Sequence, residues 1–444
     1  MRKIGFTIPG SLLLLVLVLW SCKKTETVVS YDVTDATIKS FYLAANDSFP
    51  GFAAASFKVE HRSDTGLIAP LDGDSLLFGT PLTAVVPRIS YNSRPSAALY
   101  YMGDTVFTYS GYDTLDLTRQ PVYLRVFAAN RKDNKFYRII AYAHQADPDQ
   151  YIVTRLADAI AQPCALQVLY TGSDFAAFLS DGQSLRLVRS ADGISWSMPQ
   201  TLTGLPDNCA FRQFVYDSIS ASFCYAVDTM LYRSADGVTW TSQRVEAQYG
   251  TVVATLMDFQ SRVWLLTDNR DTLHLTTWQP ADGLLQTVAK VPPSFPVSDF
   301  AATSFLSTGG RQHALIYGGY DRQGNMLGSA WSIEAADNEF RVMDVASANA
   351  QPTVGAAVVA YNHRLLRLGG LQQDGNTLTV DQSLSEGMQW QPVDSTRLPV
   401  PDRYFPRYRV SALVVNNNIY LFGGQNHTQT FTDAYRSRLN SIEW

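Results

Sequence analysis

Six times between Leu166 and Gly424 the chain runs through one plan: an apolar strand, a short turn, a second apolar strand, then a closing pair of small or acidic residues. The copies are Leu166 to Asp181, Phe211 to Asp228, Val253 to Asp268, Ala302 to Gly319, Ala356 to Gly370 and Ser411 to Gly424, and their last residues lie 47, 40, 51, 51 and 54 apart. That period leaves room for two further, weaker strands per copy, which is the length of a four-stranded blade in a radial array of sheets. A lone blade cannot bury both faces, so the copies must stack until the array closes. The expectation for residues 150–444 is therefore a six-bladed β-propeller. Trp196, Trp240, Trp278, Trp331, Trp390 and Trp444 recur once per copy and are expected to act as spacers between sheets. The last copy stops short of its outermost strand, and Tyr151 to Leu156 is expected to supply it, removing a free sheet edge.

Two kinds of motif sit within the repeats. Ser190-Ala191-Asp192-Gly193-Ile194-Ser195-Trp196 and Ser234-Ala235-Asp236-Gly237-Val238-Thr239-Trp240 resemble Asp-boxes, with a decayed relative at Leu384 to Trp390. Ile316-Tyr317-Gly318-Gly319, Arg367-Leu368-Gly369-Gly370 and Leu421-Phe422-Gly423-Gly424 resemble Kelch repeats. The physics is local. An Asp can accept hydrogen bonds from its own turn, Gly takes a positive φ, and a Gly-Gly pair ending a strand lets another backbone come close.

Upstream of the repeats the composition changes. Apart from Trp20, every Trp lies at or beyond position 196, and no Cys occurs between Cys22 and Cys164. The polar stretch Gln145 to Asp149, which contains Pro148, reads as the join. In residues 31–146 the segments Thr37 to Ala44, Ala54 to Glu60, Thr83 to Ile89, Ala97 to Met102, Val122 to Ala128 and Phe136 to His144 alternate or are rich in β-formers. No helical period is sustained. The reading is a small antiparallel β-sandwich of immunoglobulin-like kind, with Asn130 to Asn134 closing the last hairpin.

Residues 1–21 carry Arg2 and Lys3, then an apolar run from Leu12 to Trp20, which is the pattern of an export signal and is too short to span a bilayer. Leu19-Trp20-Ser21-Cys22 resembles a bacterial lipobox, in which Cys22 is cleaved at its amino side and acylated; residues 22–30 would then be a tether. The resemblance implies an outer-membrane lipoprotein, with its face of the membrane left open. Of the other cysteines, Cys164, Cys209 and Cys224, at most two can pair with one another. The six histidines are scattered without ligand spacing, so no metal or other cofactor is expected. With 35 basic against 40 acidic residues the chain is net −5, and no concentrated positive field marks a nucleic-acid partner.

Asp-boxes also occur in sialidases, whose chemistry uses an arginine cluster, an acid Asp and a Tyr nucleophile with its Glu. No aromatic-Arg-Ile-Pro motif stands in the first copies; Phe211-Arg212-Gln213-Phe214 departs from it. Asp192 and Asp236 read as turn residues, together with Gly193 and Gly237, and no catalytic residue is assigned. A ligand is expected on the face made by the loops that follow the doublets and those that lead into each copy. Tyr320, Arg322, Arg403, Tyr404, Arg407, Tyr408 and His427 stand there and suit sugar stacking and carboxylate pairing. Arginines and a carboxylate converging in a deep channel would mark an enzyme; a shallow, neutral mouth would mark binding. From the start at Asp35 to Phe41, through the Phe136 to His144 strand, to the repeats, the chain resembles a group of two-domain Bacteroidetes lipoproteins of unknown function. The whole reads as a lipid-anchored, non-catalytic binding module for a glycan or an envelope protein. The alternatives are a glycan-active enzyme and a structural envelope component.

Overall fold

The structure is a computed structural model that describes residues 32–44, 56–71, 76, 78–144, 146–156, 164–206, 209, 212–336, 339–346, 350–375, 380–399, 401 and 404–440. The signal segment, Cys22, the tether, Arg403 and Trp444 lie outside the described residues. The chain divides into two units, Met1–Asp147 and Pro148–Trp444. Both are all-β; among the described residues the helical turns are single 3-10 turns at Leu82–Ala84 and Ala247–Tyr249.

In the first unit six strands form one sheet, in the order Phe57–Glu60, Thr65–Pro70, Asn134–Ile139, Val122–Phe127, Ala97–Met102, Thr105–Thr108. Ile38–Leu43 pairs with Pro87–Tyr91 in a second. Val122, Leu124 and Val126 alternate inward along their strand, as period two requires. The inward residues of both sheets share one core, and the Tyr137 hydroxyl accepts a hydrogen bond from the Ile38 amide at 3.2 Å. Three features depart from expectation, the first being the short edge strand Thr105–Thr108, which the expected segments do not include. Thr65–Pro70 runs parallel to Asn134–Ile139, so the unit is not wholly antiparallel. That strand is hidden in sequence by Gly66 and Pro70, which read as turn residues; a Cβ at Gly66 would lie 2.5 Å from the Tyr137 ring, so the glycine makes room for that ring. The strand expected from Thr83 begins only at Pro87, after the 3-10 turn. Its first residue is one that can do without an N–H. The final hairpin turns where expected: Asn130 Oδ1 accepts from the Lys132 and Asp133 amides at 2.9 and 3.0 Å.

The second unit contains six four-stranded antiparallel sheets, each folded in chain order except the last. Their first strands are Ala165–Tyr170, Val215–Asp217, Thr251–Asp258, Ala301–Leu306, Ala357–Tyr361 and Ser411–Val415. Each of these packs against the first strand of the next sheet, and that of the sixth packs against that of the first. Polar side chains stitch neighbours together. Gln167 bonds both the N–H and the C=O of Phe214, Thr255 does the same for Ala226, and Ser411 for Val168, the last joining sheet six to sheet one. The second strands, such as Phe175–Ser180 and Ser222–Val227, are buried on both faces, which explains their unbroken apolar runs. The sixth sheet is completed by Tyr151–Arg155, which pairs with Ala434–Leu439 from Leu439↔Tyr151 to Tyr435↔Arg155.

The tryptophans do pack between sheets, but not from equivalent places. Trp196, Trp240 and Trp390 sit between third and fourth strands, whereas Trp278 and Trp331 lie inside third strands. Each meets the preceding sheet: Trp196 on Phe422 at 5.8 Å, Trp240 on Phe178 at 6.3 Å, Trp390 on Tyr317 at 5.2 Å. Trp278 clusters with Cys224 and Ala226, and Trp331 with Ala254 and Leu256. The requirement is a large wedge in the seam, and two strand positions satisfy it.

Candidate functional site

Because strands alternate in direction, the residues ahead of each first strand and those after each second strand share one end of the unit; Ala165↔Ser180, Ala301↔Tyr317 and Ser411↔Phe422 show the register. At this end four residues that lead into first strands take the left-handed conformation: Arg212 (φ 77°), Asp299 (φ 48°), Gly355 (φ 64°) and Arg409 (φ 55°). Glycine takes that conformation at no steric cost, and any other residue at roughly 1 kcal/mol or more. Gly355 is what geometry alone would select. The other three keep side chains at that expense, and all three side chains line one cavity of about 330 Å³ with Gln213, Ser180 and Gln425.

The backbone of this rim is continuous. Gly355 N–H donates to Asp299 C=O at 2.8 Å, Arg409 N–H to Gly355 C=O at 2.5 Å, and the Arg212 guanidinium reaches the carbonyls of Arg409 and Val410. Arg409 grips Asp299 in a bidentate pair, Nε to Oδ1 at 2.9 Å and Nη2 to Oδ2 at 2.6 Å. This pair holds the Arg409 guanidinium above its ordinary pKa. Arg212 has no carboxylate at ion-pair distance among the described residues; it is half-buried and bonded only to neutral carbonyls. Burial draws its pKa down to about 10, against the pull of Asp299, so it stays protonated at neutral pH. The mouth is thus not neutral. It carries two guanidiniums against one carboxylate, in a chain of net charge −5.

The motif residues lie elsewhere and hold turns. Asp192 Oδ1 accepts from the amides of Ile194 and Ser195 at 2.8 Å each and from the Ser190 hydroxyl at 2.9 Å. Asp236 repeats this with Val238, Thr239 and Ser234, all at 2.8 Å. The turn amides hold the Asp192 carboxyl at about 2 and keep Asp236 below the usual range. Gly193 and Gly237 have φ of 74° and 78°. In the decayed copy Ser385 Oγ accepts from Gln389 N–H, while Glu386 reaches out to the Thr308 amide and hydroxyl. The paired glycines are left-handed throughout, and a Cβ at Gly318, Gly369 or Gly423 would come within 2.2, 2.4 or 2.5 Å of an atom in the adjacent sheet or the loop leading into it.

Of the ligand residues expected from sequence, none of those described lines this cavity; Tyr320 and Tyr408 pair through their backbone with the lining residues Ser298 and Gln425. Arg322 is paired with Asp268 at 2.8 Å. The Tyr408 hydroxyl accepts from Gln425 Nε2 at 2.9 Å, and exposed His427 lies 6.2 Å from the Tyr408 ring. Arg407 is wholly committed inside: it is 0% exposed, paired with Asp433 at 2.5 Å, and its guanidinium carbon sits 3.8 Å from the centre of Phe431 and 4.7 Å from that of Tyr404. The Tyr404 hydroxyl is buried too and lines a different cavity. Arg212, Asp299 and Arg409 carry the mouth, and no motif flags them; the one trace in sequence is that each stands two or three residues ahead of a first strand. Cys164, Cys209 and Cys224 are all free, and burial pushes the thiols of the last two up to about 11 and 12. No group of three or more metal-ligating side chains occurs among the described residues.

No curated protein matches this sequence. Among solved structures, the one titled "Structure of YjhT" resembles the chain with a TM-score of 0.46 and 10% identity, covering 63% of this chain and 95% of that one. Residues 150–444 match the family described as the DUF6242 beta propeller domain, and the chain belongs to that family.

Proposed function

We propose that this protein is a Bacteroidetes envelope lipoprotein, anchored to the outer membrane through acylated Cys22, in which an immunoglobulin-like stalk carries a six-bladed ring that binds an acidic glycan at its mouth. The observation that carries the reading is Arg212: a protonated guanidinium lining a polar cavity, with no carboxylate at ion-pair distance among the described residues, beside a second arginine. A ligand carboxylate supplies the missing partner through a charge-assisted, two-pronged bond. The half-buried Tyr408 ring, whose backbone partner Gln425 lines the cavity, and exposed His427 beside it offer a surface for the sugar.

A second reading, a glycan-active enzyme, draws on the same convergence of Arg212, Arg409 and Asp299. Against it stands the state of Asp299: both its oxygens are taken by Arg409, so it is not placed as a free acid or base, and no other carboxylate lines the cavity among the described residues.

Calorimetric titration of the purified protein with uronic- or sialic-acid-bearing oligosaccharides, beside their neutral counterparts, tests the proposal. Binding should be confined to the acidic set and weaken with salt. Arg212→Ala should lower affinity by roughly 10-fold to 100-fold, the worth of a hydrogen bond to a charged group. Failure on every glycan, with co-purification of an envelope protein instead, overturns the glycan reading. Release of a monosaccharide during the titration overturns the non-catalytic one.

A further inference from the structure

Between the fifth and sixth sheets lies a second cavity, of about 120 Å³, which shares no lining residue with the mouth. Its walls are aliphatic, with Leu366, Leu368, Val380, Ile419 and Leu421 from strands and Leu398 from the loop that covers them; none of the described residues lining it is charged. Five hydroxyl-bearing residues line the same space, and in three of them, Tyr151, Tyr404 and Ser437, the hydroxyl oxygen is buried without a hydrogen-bond partner among the described residues. Tyr151 is only 3% exposed and is held by its register opposite Leu439 in the closing strand. The contrast with Tyr435 in the same wall is instructive, since its hydroxyl donates to Asp433 Oδ2 at 2.8 Å. Where an internal partner is within reach it is used.

Buried hydroxyls are ordinarily satisfied, and three unsatisfied ones around one apolar space form a pattern rather than a stray defect. An apolar cavity of similar size accepts benzene. We infer that this seam is a binding site for a small, uncharged, mainly apolar molecule of about the size of phenol, whose one oxygen bonds the unsatisfied Tyr404 hydroxyl. Burial keeps both tyrosines protonated, pushing Tyr404 up to about 12, so the wall offers neutral donors and acceptors and no counter-charge for a carboxylate. The site is independent of the mouth and of the glycan reading.

Phenol and toluene, nearly identical in shape, separate the polar contribution from the apolar one. In titrations of the full chain followed by ligand-observed NMR, phenol should bind saturably with a dissociation constant on the order of a millimolar, the range open to a ligand of so few atoms. Toluene should bind about tenfold more weakly, for want of one buried hydrogen bond. Tyr404→Phe, which keeps the ring over Arg407, should erase that preference while leaving toluene unchanged. Leu398→Trp should fill the cavity and abolish both. The proposal is overturned if neither molecule binds saturably, if wild type takes the two equally, or if a phenol-soaked crystal of the Tyr404→Phe protein or of wild type holds the molecule elsewhere.

Discussion

Asp258 ends the first strand of sheet three, and its Oδ1 is buried without a hydrogen-bond partner. Burial, and behind it the neighbouring Asp217 carboxylate, raise its pKa to about 6. In the unfolded chain the same group titrates near 3.9, so between these values the folded state binds more protons than the unfolded one, and stability falls as pH rises. The contribution of this group is therefore fully present below about pH 4 and is lost as pH rises through 6. A shift of about two units corresponds to roughly 3 kcal/mol for a fully enclosed carboxyl, and partial access to solvent reduces this to about 1–2 kcal/mol. Asp258→Asn removes the titration while keeping the shape. It should leave the melting temperature unchanged at pH 4 and raise it at pH 7.5 by about 2–4 °C, given the size of the propeller unit. Differential scanning calorimetry of both proteins at both pH values reads the result. An equal shift at the two pH values, or a lower melting temperature for the variant at pH 7.5, would refute the reasoning, because either outcome means that charge burial is not what the aspartate costs.

Two further perturbations follow from the geometry. Gly369→Ala puts a Cβ 2.4 Å from the Arg407 carbonyl at a φ of 62°, whereas Gly375→Ala, at 83°, meets nothing within 4 Å; the second should cost about 1 kcal/mol and the first at least twice that in urea unfolding, from the clash added to the backbone strain. Cys22→Ser should abolish incorporation of labelled palmitate and release the protein from the membrane fraction, and continued labelling of the variant would remove the anchor from the proposal.

What could be read from sequence was what is decided within a few residues. The carboxylates of Asp192 and Asp236 find all their partners two or three residues away, so they announce their turns. The second strands announce themselves because burial on both faces leaves no polar alternation to confuse with a helix. Thr65–Pro70 was hidden for the converse reason. Its glycine answers to Tyr137, a ring 71 residues away, and no window around Gly66 contains that fact. The tryptophan series was half legible: one wedge per sheet is visible in the spacing, but whether it stands in a strand or after it depends on the neighbour it must reach.

The mouth belongs wholly to the second class. Arg409 meets Asp299 across 110 residues, and Arg212 meets Arg409 across 197. Each is an unremarkable polar residue in a loop until the sheets bring their leading ends together. Even then the ion pair alone would read as a brace. What separates Arg212 from a brace is the combination of three properties that a purely structural arginine has no reason to share: a left-handed backbone that glycine would adopt more cheaply, a guanidinium drawn down by burial, and bonds to carbonyls in place of a carboxylate. Arg407 supplies the comparison within the same chain: its charge is matched by Asp433 and its faces are covered by Phe431 and Tyr404, so nothing of it is left for a ligand. Among the described residues Arg212 has no such carboxylate, and that contrast between two arginines of one unit is what the proposed acidic ligand rests on.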